Sequence, residues 1–161
     1  MTEEAVTLKI HIDGCSKGNP GLAAYGVVVE DDEGTTLAEL GEIVGRNTSN
    51  VAEYRGLHAA LDYILQFPVK KRVMIYSDSQ LLVNQIHGTY RVRSPKLKNL
   101  HFAAINKLDK LAHWTIQHIP RTENSRADKL ANDAVKRFRA SLKEKQRDPG
   151  KKTKKRGPDS D

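Results

Sequence analysis

The sequence predicts an α/β fold: one five-stranded mixed sheet with helices on both faces, in the order βββαβααβα. Three observations predict it. Apolar residues alternate with a period of two through the first third of the chain, and a helical period takes over near residue 50. The first three strand-like runs are joined by short turn signals, the mark of an antiparallel meander. Strand–helix–strand units follow, and their crossovers place the first strand at the centre of the sheet.

Val6, Leu8, Ile10 and Ile12 alternate with polar positions, so residues 6–13 read as the first strand. Tyr25 to Glu30 is the second, where Val27, Val28 and Val29 favour extended backbone. The turn "DDEG" leads to the third, Thr35 to Val44. Between Asn50 and Phe67 the apolar residues Tyr54, Leu57, Leu61, Ile64 and Leu65 recur at helical spacing, and Pro68 closes the run. Arg72 to Ser77 is a short buried strand, and Ser79 to His87 a short helix ended by Gly88. Ser94-Pro95 opens a helix reaching about Leu111, with proline suited to its first turn. Trp114 to Ile119 is the last strand. The last helix spans Asn124 to about Lys143, with Ala127, Leu130, Ala131, Ala134 and Phe138 on one face.

The 161 residues suffice for one domain, expected over 1–139. Residues 140–161 form a basic tail with eight Lys/Arg against four Asp/Glu, over half of the net charge of +7. Its stretch "RDPGKKTKKRGPDSD" has no large apolar residue to bury, so disorder is expected, with non-specific attraction to phosphates as its functional reading. No apolar run approaches the ~18 residues of a membrane span. The N-terminus "MTEEAVTLKI" has acids where a signal peptide has bases. The single Cys15 cannot close an internal disulfide. Together these features predict a cytoplasmic protein, monomeric by default, with no membrane partner.

Four acids fall at element boundaries: Asp13 at the end of the first strand, Glu53 in the first turn of the first helix, Asp78 at the end of the fourth strand, and Asp128 in the first turn or so of the last helix. If the first and fourth strands run parallel side by side, Asp13 and Asp78 emerge at one end, where the two helix starts can join them. Clustered carboxylates repel unless a cation compensates. With only oxygen ligands on offer, a hard cation such as Mg²⁺ or Mn²⁺ fits. Two such ions ~4 Å apart can support phosphoryl transfer. Each acid also has an ordinary reading. Glu53 stands at capping-box spacing from Asn50, Asp78 can cap a helix, Asp128 can oppose a helix dipole, and Asp13 can serve a turn.

The blocks "DGCSKGNPGLAAYGVVV", "RNTSNVAEYRGLHAAL", "YSDSQLLVNQI" and "PRTENSRADKLANDA" resemble, in colinear order, those of type 1 ribonucleases H. The likeness spans about residues 6–138. It implies a ribonuclease H-like fold and an endonuclease that cuts the RNA strand of RNA–DNA hybrids. The family uses two Mg²⁺ ions, with Mn²⁺ as a substitute, and leaves 5′-phosphate and 3′-hydroxyl ends. Its carboxylate set maps onto Asp13, Glu53, Asp78 and Asp128. Substrate contacts are implied for Gly14, Cys15, Gly18, Asn19, Ser49 and Asn50, and a phosphate pocket of the DNA strand for Arg46 and Thr48. An A-form minor groove exposes 2′-hydroxyls, which backbone amides and small side chains can reach.

The sequence departs from the best-known bacterial pattern in two places. The flexible loop with an auxiliary His is replaced by "QHIPRTENSRAD", where Arg121 occupies the equivalent region, as in the archaeal-like subgroup; His118 is read as a strand residue. The long basic handle is also absent. "HGTYRVRSPKLKN" is a short substitute whose Arg91, Arg93, Lys96 and Lys98 read as contacts to the duplex backbone, against the ordinary reading of a solvated face. In that subgroup double-stranded RNA is a second candidate substrate. Two other classes compete: a binding module without catalysis, and a phosphohydrolase with Asp13 as nucleophile. The second of these wants an acid two residues on, where Cys15 stands.

Overall fold

The computed structural model describes residues 5–147. Five strands, β1 (Val6–Lys17), β2 (Gly21–Asp31), β3 (Thr36–Asn47), β4 (Lys71–Ser77) and β5 (His113–His118), form one sheet in the order β3-β2-β1-β4-β5. β1, β2 and β3 pair antiparallel, while β4 runs parallel to both β1 and β5. The expected meander, crossovers and central first strand are all present. Among the described residues, no helix is long and apolar enough to cross a membrane.

The meander is longer than its hydrophobic pattern. β1 does not end at Asp13 but continues to Lys17, and β2 begins at Gly21 rather than Tyr25. Gly14, Cys15, Ser16 and Lys17 pair with Tyr25, Ala24, Ala23 and Leu22, so ladder hydrogen bonds carry the hairpin to a tip at residues 18–20. The glycine-rich turn therefore stands several residues beyond Asp13.

Four helices complete the chain: α1 (Ser49–Ile64), α2 (Gln80–His87), α3 (Pro95–Leu108) and α4 (Ser125–Arg147). The side chains of Thr48, Ser79 and Ser94 cap the first three by accepting from Val51, Leu82 and Leu97 N–H. The caps are thus neither Asn50 nor Asp78. Gly88 ends α2 in the left-handed conformation at φ 87°.

α1, α2 and α3 pack on one face around Ile10, Ile12, Val27, Val29, Tyr54, Leu57, Leu61 and Ile75. α4 covers the other face over β1, β2 and β3, where Ala24, Ala134 and Val135 form a smaller cluster. Ala127, Ala131 and Ala134 are buried, as the helical pattern predicts, but Phe138 is 38% exposed. α4 comes close to the sheet because β2 carries no side chain at Gly26. A Cβ there would lie 2.0 Å from the carbonyl oxygen of Ala127. α4 also continues to Arg147, past the expected domain boundary at 139. Residues 140–147 are therefore helical, and the rest of the basic tail lies outside the described residues.

Candidate active site

The last parallel pair between β1 and β4 is Ile12 with Ser77. The next residue on each chain is an acid, Asp13 and Asp78. β4 stops here while β1 runs on against β2, with Asp13 opposite Gly26. The sheet is thus notched on one side of Asp13, and side chains from both faces can meet there. Glu53 enters from α1, on its second turn rather than its first. A Cβ on Gly14 would stand 2.4 Å from the Glu53 amide nitrogen, so only glycine lets α1 sit this close to β1. Asp128 enters from the first turn of α4.

Carboxylate oxygens of Asp13, Glu53 and Asp78 all lie within 4.8 Å of one another. Asp128 stands outside that trio but within hydrogen-bonding reach of the Asp13 carboxyl. The fold thus gathers all four sequence-predicted acids, three as a tight group and the fourth beside Asp13. Asp13 and Glu53 are buried, at 5% and 7% exposure.

The electrostatics follow from this crowding. Burial, then the charge of Asp78 and the contact with Asp128, push the Asp13 carboxyl up to about 8. Burial, then the charges of Asp13 and Asp78, push Glu53 well above the usual carboxylate range. The Gly14 backbone N–H and the Arg121 guanidinium pull it partly back. Glu53 Oε1 is buried with no hydrogen-bond partner. An orphaned oxygen among mutually repelling acids is the arrangement a bound cation relieves. The donor set is all oxygen, so the residues fit a hard divalent metal ion.

The resemblance-derived contact residues lie along the end of β1, at the hairpin tip and at the junction of β3 with α1. Gly14 and Cys15 lie within β1, and burial pushes the Cys15 thiol up, which keeps it neutral. Gly18 and Asn19 form the exposed hairpin tip. The Asn19 side chain accepts the Ser49 N–H at 3.0 Å, fastening the tip to the start of α1. Ser16 Oγ donates to Asn47 O at 2.8 Å. Arg46 is exposed near the end of β3, and Asn50 is exposed in the first turn of α1. Thr48 spends a lone pair on its cap, which leaves its hydroxyl hydrogen free to donate.

Arg121 sits exposed on a single 3₁₀ turn, Arg121–Glu123, near enough for its charge to favour the ionised form of Glu53. His118 ends β5 and is exposed. His58, His87 and His101 each bond a backbone carbonyl, at 2.8, 2.8 and 3.0 Å, as structural histidines do. Trp114 packs against the main core.

One residue was missed as a member of the site. Asn124, 1% exposed, donates from Nδ2 to Ile12 O at 2.8 Å and so ties the start of α4 to β1 beside Asp13. Its place just before the last helix reads as an ordinary cap, which hides the long-range bond. Lys96, one of the four bases read as duplex-backbone contacts, reaches from α3 to Asn47 Oδ1 at 2.7 Å. It thereby joins the neighbourhood of Arg46 and Thr48.

Comparison with known proteins agrees with this geometry. A family model described as reverse transcriptase-like matches residues 11–134. Ribonuclease HI of Halobacterium salinarum is 40% identical over 125 residues, which cover 78% of this chain and 62% of that protein. The N-terminal RNase H domain of Rv2228c from Mycobacterium tuberculosis superimposes with a TM-score of 0.80 at 39% identity, covering 86% of this chain and 99% of that one. LC11-RNase H1, solved in complex with RNA/DNA hybrid, gives 0.76 at 40% identity, covering 81% and 98%. The chain spans 35% of the length of its full-length mycobacterial relatives and 62% of the halobacterial one.

Proposed function

Since the chain belongs to the type 1 ribonuclease H family, we propose that it is an endonuclease that hydrolyses the RNA strand of RNA–DNA hybrids. One observation carries the reading: the three carboxylates within 4.8 Å of one another, with Asp128 beside Asp13. The hybrid seen with LC11-RNase H1 supplies the substrate class.

In this reading Asp13, Glu53, Asp78 and Asp128 hold two Mg²⁺ ions, which Mn²⁺ can replace. When bound, such ions lower the pKa of attacking water and stabilise charge on the leaving oxygen. The chain itself does the positioning. Asp13 and Asp78, next in register on parallel strands, set the spacing of the metal-holding oxygens. Glu53 lies where the ribose next to the cut can meet it, and Gly14 and Cys15 present backbone to the minor groove. Gly18, Asn19, Ser49 and Asn50 line the approach of the hybrid. Arg46 and Thr48, with Lys96 close by, grip a phosphate of the DNA strand. Arg121 assists beside Glu53 in place of a histidine. The products carry 5′-phosphate and 3′-hydroxyl ends. Double-stranded RNA, also A-form, is a second substrate in this reading. All four acids come from one chain, so the site is complete in a monomer, and Cys15 is free of any disulfide, as in a cytoplasmic protein.

The test incubates the parent and an Asp13→Asn variant with labelled hybrid, double-stranded RNA and p-nitrophenyl phosphate, each with Mg²⁺ and with EDTA. Mg²⁺-dependent cleavage of hybrid by the parent alone is expected. Hybrid binding without cleavage by either protein points to a binding module. Hydrolysis of the ester without RNA cleavage points to a phosphomonoesterase.

A further inference from the structure

Asp128 is the least confined of the four acids. It is half-buried, it stands apart from the tight trio, and its charge faces that of Asp13. Its solvent-facing side leaves the carboxylate free to turn outward. One turn further along α4, Asn132 opposes this. Its Nδ2 donates to Asp128 O at 2.9 Å and to Asp128 Oδ1 at 3.1 Å. Its Oδ1 accepts from the Lys17 ammonium at the far end of β1. The orientation of the Asn132 amide follows from its partners. An ammonium can only donate and a carbonyl can only accept, so oxygen must face Lys17 and nitrogen must face Asp128.

These bonds have a geometric consequence. With Oδ1 held by Asn132, the Asp128 carboxylate loses freedom to turn about its side-chain bonds beside Asp13. The main-chain bond anchors the amide, and Lys17 holds it from the opposite side. Lys17 immediately precedes Gly18 and Asn19 at the hairpin tip, so Asn132 links the acid to the end of the strand that carries the tip. We propose that Asn132, itself held from the opposite side by Lys17, is a positioning residue that holds Asp128 in its metal-binding orientation. The inference rests on the proposed metal-dependent activity, although its first measurement needs no nucleic acid.

Mn²⁺ binding to the full chain is measured by calorimetry without nucleic acid, beside hybrid affinity in EDTA and the Mg²⁺ concentration for half-maximal cleavage. Asn132→Ala keeps a strong helix former at a half-buried position. It is expected to weaken Mn²⁺ binding about tenfold, the usual scale for losing a group that orients a metal ligand. The Mg²⁺ requirement should rise by a similar factor, while hybrid affinity in EDTA stays within about twofold, a combination that loss of helix stability would not produce. Lys17→Met should show a smaller loss of the same sign. In an Asp128→Asn background, Asn132→Ala should change Mn²⁺ affinity by less than about twofold, because the partner is already gone. Should Asn132→Ala fail to fold, Asn132→Asp takes its place: it keeps a partner for Lys17 but turns an acceptor toward Asp128, and at least the same loss is expected. Parental Mn²⁺ affinity in the folded variant, or an undiminished effect in the Asp128→Asn background, overturns the inference. A parent that binds Mn²⁺ but cuts no hybrid would overturn the proposed function, while the calorimetry would still decide the role of Asn132.

Discussion

Gly14 and Glu53 meet backbone to backbone: a Cβ on the glycine would lie 2.4 Å from the Glu53 amide nitrogen and 2.6 Å from the carbonyl carbon of Ala52. These are main-chain atoms of a packed helix, which cannot swing aside as a side-chain tip can. Gly14→Ala must therefore lift α1 from β1 and carry Glu53 away from Asp13. We expect a stability loss of about 1–3 kcal/mol, the range for overpacking a core. Mn²⁺ affinity should fall with it. Thermal unfolding and calorimetry check the pair, and an unchanged melting temperature would show that the contact can relax.

Removing an acid should stabilise the metal-free protein while disabling it. Asp13 is buried among like charges, so Asp13→Asn keeps the shape and deletes the repulsion. Its melting temperature in EDTA at neutral pH should exceed the parent's, and Mg²⁺-dependent cleavage of hybrid should fall by at least about a hundredfold, more than loss of a mere ligand-orienting group. A variant less stable than the parent in EDTA would mean that Asp13 is held by something other than its acidic neighbours.

The same crowding sets a pH dependence. Asp13 titrates near 8 in the fold, against 3.8 for a free aspartate. Between those values the folded chain keeps a proton that the unfolded chain has released. Stability therefore falls as pH rises through this window. Glu53, shifted the same way, adds to the trend. In EDTA the melting temperature of the parent relative to Asp13→Asn should drop from pH 5 to pH 8, and saturating Mg²⁺ should shrink that drop. A parent–variant gap that stays constant across the range would refute the assignment.

Arg46 is exposed beside the capped start of α1, where a phosphate can approach it. Arg46→Ala should weaken hybrid binding similarly for all base sequences and reduce the slope of log affinity against log salt by about 0.9, the release accompanying one phosphate contact. kcat at saturating hybrid should hold near the parental value. Titrations at several salt concentrations test this, and an unchanged slope would remove Arg46 from the phosphate pocket.

The sheet, its strand order and the convergence of Asp13, Glu53, Asp78 and Asp128 were legible because they follow from hydrophobic period and from which strand ends lie parallel. The extension of β1 to Lys17 was not. Gly14, Cys15 and Ser16 carry no alternating signal, and their extended form comes from pairing with residues 23–25. The capping residue of α1 was misplaced at Asn50 because a capping-box spacing fits there, whereas Thr48 holds the extended backbone a cap requires. Asn124, Asn132 and Lys17 escaped notice for a shared reason. Asn124 and Lys17 find Ile12 and Asn132 only through the crossing of α4 over β1, which neither residue's own neighbours reveal; Asn132 stands one turn from Asp128, but its bond to Lys17 depends on the same crossing.

The bare position at Gly26 reaches beyond packing. It sits opposite Asp13 on the neighbouring strand and directly beneath Ala127, whose next residue is Asp128. The thickness of the protein at that point is therefore a ruler for the distance between two of its acids. A methyl group added there, with every acidic residue untouched, would lengthen the ruler and draw Asp128 away from Asp13.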